Sequence, residues 1–305
     1  MLEQVRDGGV LPLDAPAVVL LSGGRDSVCM VDLAASLLGA ARVSALHVNY
    51  GLRDDAVGDE RHCAELCERL GVALAVERPR RPEGPGNLQA WARDARYAAA
   101  ARLALPQGAV IATGHTADDQ VETILYRLAS SPSRRALLGM RARDGQLARP
   151  LLAFTRAQTT AYCEERGLAW REDASNAEDT YARNRVRHGL LPALETIHPA
   201  AKSNVLRTAE LLRAEAEVLD GLVSAELGGP RGKTIELERL AALPPALRRL
   251  VVQRLADAAA GRPVPGAANH ADEVAALRRT GTAMLDLGAG VRAVVERGVL
   301  RADHP

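Results

Sequence analysis

Two short segments carry the chemistry legible in this chain of 305 residues. The first is Ser22-Gly23-Gly24-Arg25-Asp26-Ser27. It follows the apolar run Ala17-Val18-Val19-Leu20-Leu21, read as a buried parallel strand, and precedes a helix expected over 28–38. Glycines let the backbone come close to an anion, and a helix N-terminus turns unpaired N–H groups and the positive end of its dipole toward it. Ser22 and Ser27 add hydroxyl donors. Asp26 is out of place beside a phosphate unless a divalent cation joins it, so it points to Mg²⁺. The loop lacks the Gly-Lys-Ser/Thr ending of the common nucleotide loop and the Gly-x-Gly-x-x-Gly of dinucleotide folds.

The second segment runs from Gly114 through His115 to Asp118, Asp119 and Glu122, after a strand and into a helix. Asp119 and Glu122 are i,i+3, and Asp118 and Glu122 are i,i+4, so they share a face. The helix dipole alone favours acids near an N-terminus and accounts for one of them. Three beside a histidine point to a site that ligates Mg²⁺, holds an ammonium group or acts as a general base. Arg93 and Arg96 share a face of another helix. Alone they read as surface residues; near a phosphate crevice they would neutralise ATP or pyrophosphate. The stretch Tyr181 to His188 interleaves Arg183, Arg185 and Arg187 with Tyr181, Asn184 and His188. That mixture suits RNA, and a solvated basic helix face is the competing reading.

These motifs need a frame. Strands are expected over 17–21, 43–48, 72–76 and 109–113, and helices over 28–38, 55–70, 88–104 and 118–129. The alternation predicts an α/β fold with a doubly wound parallel sheet. Such sheets bind ligands at the carboxyl ends of their strands. Ser22-Gly23-Gly24, His47-Val48-Asn49 and Gly114-His115 lie at such ends and converge on one crevice. Thr155 is expected to cap a helix reaching Arg166. Beyond about 201 the pattern changes to a long amphipathic helix over 205–222, a strand near 234–237, helices near 245–258 and 270–279, and a β-meander over 283–301. A second, smaller α/β domain is the expectation.

Composition narrows the classes. Hydrophobic residues make up 47% and aromatics 3%, so the core must be Leu, Val and Ala. A net charge of +1 advertises no global basic field, and nucleic acid must be met by local patches. The 4 cysteines, Cys29, Cys63, Cys67 and Cys163, form no Cys-x-x-Cys pair and read as core or helix-face thiols. No signal peptide or apolar run of ~18 residues is evident, so the expectation is a cytoplasmic protein without a membrane span.

Ser-Gly-Gly-x-Asp-Ser resembles the PP-loop of the ATP pyrophosphatases. The motif order narrows this: Ser22–Ser27, His47–Arg53, Ala92-Arg93 with Arg96-Tyr97, Gly114–Thr123, Arg149–Leu152, Trp170–Asn176 and Tyr181–Arg187 together resemble the tRNA(Ile)-lysidine synthetases, in a short form without the additional terminal domain of longer members. The resemblance implies a PP-loop ATPase (adenine nucleotide alpha hydrolase-like) catalytic domain over 1–200 and a small C-terminal α/β domain over 201–305 that binds tRNA. It implies ATP-dependent ligation of free L-lysine to the wobble cytidine of a CAU-anticodon tRNA(Ile), with ATP and Mg²⁺, and it is compatible with a homodimer.

By that resemblance Ser22, Gly23, Gly24, Arg25, Asp26 and Ser27, with His47 and Gly114, bind ATP, and Asp26 holds the metal. Asp119 and Glu122 hold lysine and accept its proton, with His115 a second candidate base. Arg93 and Arg96 assist pyrophosphate. Arg134, Arg135, Trp170, Asp173, Asn176, Arg183, Asn184 and Arg187 are expected to contact tRNA. Two stretches depart from the family: Tyr50 stands where it often has His, and its Arg-Gly-x-Gly after the acidic helix is replaced by a glycine-poor loop from Ser130, in which Arg134 and Arg135 are expected to substitute. The competing readings are another PP-loop tRNA-modifying enzyme of the thiolase type, disfavoured by the cysteine spacing, and a non-catalytic nucleotide-gated RNA-binding protein. Pyrophosphate release on adding tRNA separates the last from a ligase.

Overall fold

The computed structural model describes residues 1–51, 55–82, 86–130, 134–172 and 182–304, with only the backbone of Arg135. The chain divides into two compact units, Met1–Glu210 and Leu211–Pro305.

The first unit opens with α1 (Leu2–Asp7) and then alternates β1 (Ala17–Leu20), α2 (Arg25–Leu38), β2 (Val43–Val48), α3 (Ala56–Leu70), β3 (Ala73–Glu77), α4 (Leu88–Ala104), β4 (Val110–Ala112) and α5 (Ala117–Ser130). A short α6 (Arg134–Leu137), the hairpin β5 (Arg143–Asp144) and β6 (Leu147–Ala148), α7 (Arg156–Glu165), α8 (Ala182–Arg185) and α9 (Leu191–Ile197) follow. The sheet order is β3-β2-β1-β4-β6-β5, parallel except at the β5 edge. Every residue of β1 is buried. Its side chains alternate between faces: Ala17 and Val19 join the core with α2, α3 and α7, while Val18 and Leu20 pack with α4. Helices therefore cover both faces, as expected of a doubly wound sheet.

From β1 the chain moves outward through β2 to β3, then returns to place β4 on the other side of β1. The crevice beyond β1 and β4 is thus the topological switch point, where such folds bind ligands. Local signals set the helix ends around it. Asn87 caps α4 by accepting from the Gln89 and Ala90 N–H groups. Thr155 and Gln158 form a reciprocal capping box on α7. The β5–β6 hairpin lies outside the expected strands, because strands of two residues show no period.

The second unit contains most of α10 (Ala201–Glu226), which starts earlier and ends later than expected, then β7 (Thr234–Glu236), α11 (Leu237–Ala242), α12 (Pro245–Ala260), α13 (Ala271–Ala275), β8 (Thr282–Gly288), β9 (Val291–Glu296) and β10 (Val299–Asp303). Its sheet, β7-β10-β9-β8, is antiparallel throughout and has its own core of Leu, Val and Ala side chains. The helix expected over 270–279 stops at Ala275, ahead of a left-handed Gly281. Among the described residues no helix is long and apolar enough to cross a membrane.

Candidate active site

The Ser22–Ser27 loop is shaped by its own side chains. The Ser27 hydroxyl donates to the Gly24 carbonyl at 2.7 Å and accepts from the Ser22 N–H at 3.1 Å. The two serine hydroxyls lie 3.1 Å apart. Gly23 has φ +85°, open to glycine at little cost, and Gly24 is the N-cap of α2. The N–H groups of Arg25 and Asp26, in the first helical turn, have no intrahelical acceptor and remain donors for an anion. Asp26 Oδ1 accepts from the Thr159 hydroxyl at 2.5 Å and from Arg25 Nε at 3.2 Å.

The acids of α5 form the opposite wall. Arg156 joins them to the loop: its Nη2 lies 2.7 Å from Asp119 Oδ1, its Nη1 2.9 Å from Glu122 Oε1, and its Nε 4.0 Å from Asp26 Oδ2. Arg187 Nε adds a 2.7 Å contact to Glu122, whose side chain is 2% exposed. Asp119 also caps its own helix, accepting from the Thr116 N–H at 2.8 Å and its hydroxyl at 2.9 Å. Asp118 accepts the Arg156 backbone N–H at 2.8 Å and pairs with Lys202. Burial alone would raise the Asp119 pKa, but Arg156 and the Thr116 N–H outweigh it, and the carboxyl sits below its ordinary value. Burial would likewise lower Arg156, but Asp119 and Glu122 outweigh it, and its pKa is raised. His115 Nδ1 lies 2.7 Å from the Thr113 hydroxyl. Burial pulls its pKa down to about 4; Asp119 opposes this, and Arg149, Arg96 and Arg183 add to it.

A basic patch flanks His115. Arg93 and Arg96 lie 4.9 Å and 5.4 Å from the Tyr97 ring centroid, within cation–π range. Beside them the segment after the glycine-poor loop is clamped to α5 and β6. Gly139 O accepts from Arg127 Nη1 at 2.9 Å, Met140 O from Gln120 Nε2 at 2.9 Å, and Arg141 O from Arg149 Nη1 at 2.6 Å.

The PP-loop domain family model matches residues 12–194. The chain belongs to the PP-loop family. A tRNA(Ile)-lysidine synthase of Solibacter usitatus is 37% identical over 256 residues, 81% of this chain and 58% of that protein. One from Thermus thermophilus is 39% identical over 256 residues, 81% of this chain and 50% of that protein. One from Azoarcus sp. is 37% identical over 279 residues, 88% of this chain and 61% of that protein. The chain thus spans between 50% and 61% of the length of these curated relatives. Among solved structures, the U34-tRNA thiolase NcsA from Methanococcus maripaludis with its [4Fe-4S] cluster superposes with a TM-score of 0.58 at 20% identity, over 70% of this chain and 77% of that one. At that identity the likeness shows the fold.

Placed on the PP-loop frame, the expected site residues sort into groups. Ser22–Ser27 and Gly114 stand together at the switch point. His47, at the end of β2, is 5% exposed, and its Nδ1 lies 2.9 Å from Leu21 O, so its side chain ties β2 to the end of β1. Asn184 is buried, 8% exposed. Trp170 packs partly on the main core. The next residue, Arg171, donates its N–H to Gly23 O at 3.0 Å and its side chain pairs with Asp55 and Asp59, so this stretch braces the PP-loop from behind. Arg187 holds the acids, and Arg183 Nη2 reaches Thr123 Oγ1 at 3.4 Å. Tyr50 donates to Ala92 O at 2.8 Å and meets Trp91 edge-on. Arg134 opens α6. Asp173 and Asn176 lie outside the described residues, as does the side chain of Arg135.

Sequence reasoning missed Arg156, Thr159, Arg127 and Arg171. One signal was available for Arg156: a cation in the first turn of a helix opposes the dipole and calls for an acid elsewhere. No three His, Cys, Asp or Glu side chains gather as a metal cage among the described residues. Asp26 alone still fits Mg²⁺, which takes one or two carboxylates and completes its shell with phosphate oxygens and water.

Proposed function

We propose that this PP-loop protein uses ATP to adenylate the 2-carbonyl oxygen of the wobble cytidine of a CAU-anticodon tRNA(Ile) and joins free lysine to it. The cytidine oxygen attacks the α-phosphorus and pyrophosphate leaves. The lysine ε-amine then attacks C2, AMP departs with the oxygen, and one proton is lost, giving lysidine. The observation that carries this reading is the Arg156 bridge, which sets an ATP-type loop directly against an ammonium-type acid pair. The relatives named tRNA(Ile)-lysidine synthase support the choice of amine and base.

The loop N–H groups and the Ser22 and Ser27 hydroxyls would hold the departing pyrophosphate. Mg²⁺, held by Asp26 and the nucleotide phosphates, would neutralise charge on that leaving group. Asp119 and Glu122 suit the lysine ammonium. Asp119 is a poor proton acceptor, because its neighbours favour the charged form. His115 is neutral at pH 7, but the burial that pulls its pKa down to about 4 also makes its imidazole a weak base. Arg156 and Arg187 already satisfy the acids, so an incoming ammonium must displace one of them. ATP offers the exchange: its phosphates would draw Arg156 toward the loop and vacate Asp119. The 211–305 unit we read, by position, as the reader of tRNA shape, in a cytoplasmic reaction.

The test mixes protein, ATP, labelled lysine and the tRNA(Ile) transcript. Incorporation at the wobble cytidine, matched by AMP, is expected. A folded, ATP-binding protein that incorporates none overturns the reading.

A further inference from the structure

The basic patch beside His115 is larger than the proposed chemistry needs. It comprises Arg93 and Arg96 on α4, Arg127 on α5, Arg149 after β6 and Arg183 on α8. Their donors go to neutral oxygens: Arg127 to Gly139 O, Arg149 to Arg141 O and Arg183 to Thr123 Oγ1. Arg149 is 5% exposed, and its Nε, like that of Arg96, is buried with no hydrogen-bond partner among the described residues. None of these arginines forms a salt bridge within the described residues, although Arg156, Arg166, Arg171 and Arg187 in the same unit all do.

Like charges gathered this way repel one another. Burial first, then Arg183, Arg93 and Arg149, lower the Arg127 pKa. Burial also lowers that of Arg149; Tyr97 and Asp144 oppose this, and Arg93 adds to it. The repulsion is relieved when an anion enters.

The arginine that the family resemblance places after the acidic helix is absent here, and Arg127 lies one helical turn before Ser130. Arg127 is about 12 Å along α5 from Asp119 at 1.5 Å per residue, too far to serve the same atoms. We propose that Arg127 completes a second anion subsite, separate from the Ser22–Ser27 loop, which takes a phosphate group through the guanidinium cluster. The phosphate belongs either to the RNA backbone or to the nucleotide. The RNA source rests on the function proposed above, whereas the subsite itself does not.

The test compares Arg127→Gln, which removes the charge and keeps an amide donor, with Arg127→Lys, which keeps the charge. Three measurements are made: thermal unfolding at low salt with and without pyrophosphate, ATP affinity, and binding of the tRNA transcript across a salt series. For an RNA phosphate, Arg127→Gln flattens the slope of log affinity against log salt by about 0.7 to 0.9, the value of one neutralised phosphate, while ATP affinity holds. Arg127→Lys keeps the slope. Weaker ATP binding with an unchanged RNA slope keeps the subsite and assigns it to the nucleotide. In anion-free buffer Arg127→Gln melts no lower than wild type, and pyrophosphate raises its melting temperature less. A lower melting temperature with the RNA slope, ATP affinity and pyrophosphate response all unchanged overturns the proposal and leaves Arg127 as a clamp for Gly139. Wild-type protein that binds no tRNA sinks the proposed function instead, and the ATP and pyrophosphate measurements then decide the subsite.

Discussion

A methyl group at Gly114 would stand 2.5 Å from the carbonyl oxygen of Asp26 and 3.0 Å from the backbone nitrogen of Ser27. The end of β4 therefore rests directly on the first turn of α2, and only hydrogen fits between them. Both obstacles are backbone, so no side chain can swing away. Gly114→Ala must push the loop off its position, at a cost of about 1–3 kcal/mol. We expect ATP affinity to fall at least tenfold, with a lower melting temperature. Wild-type nucleotide binding by this variant, measured by calorimetry, would remove Gly114 from the site.

Arg156 occupies the acids proposed for lysine, so lysine should bind only after nucleotide. Calorimetric titration of lysine is expected to give little heat with apo-protein and clear binding with a non-hydrolysable ATP analogue. Equal affinity in both states would show that Arg156 does not exchange partners.

His115 carries a pH signature. Its folded pKa, about 4, lies below the ordinary 6.5, so the unfolded state binds its proton first as pH falls. The contribution of the neutral ring to stability is present above about 6.5 and is lost progressively between 6.5 and 4. Urea unfolding of His115→Gln should therefore show a smaller loss of stability from pH 7 to pH 5 than wild type. Parallel curves for the two proteins would contradict this burial account.

Tyr162 on α7 donates to Asp32 Oδ2 on α2 at 2.6 Å, and Arg166 adds contacts of 3.1 Å and 3.2 Å to the same carboxylate. Asp32 is buried, so a lost donor is not replaced by water. Tyr162→Phe should cost about 1–3 kcal/mol by urea denaturation, because one buried acceptor loses a charge-assisted bond. An unchanged unfolding midpoint would mean that Arg166 alone satisfies Asp32.

The local signals fared well where they were local. The runs 17–21, 43–48 and 88–104, the Thr155 cap and the glycine turn after β1 are all written in short stretches of apolar period, cap and turn residues, and the first strand ends one residue early, at Leu20. The basic stretch 182–187 shows the limit. Its composition leaves an RNA-facing surface and a solvated basic face both open, and the folded chain turns Asn184 inward, gives Arg187 to Glu122 and leaves Arg183 with the patch around His115. Composition does not say which face a side chain takes.

By itself the sequence determined the parallel sheet, the phosphate loop at its switch point and the acids on one face of α5, because each follows from residues within a turn or a strand of one another. The tertiary structure alone decided where the charges go. Arg156 reaches Glu122 and Asp119 across 34 and 37 residues, and Thr159 reaches Asp26 across 133. Such pairings depend on how α7 and α5 meet beyond β1 and β4, and no spacing along the chain encodes that meeting.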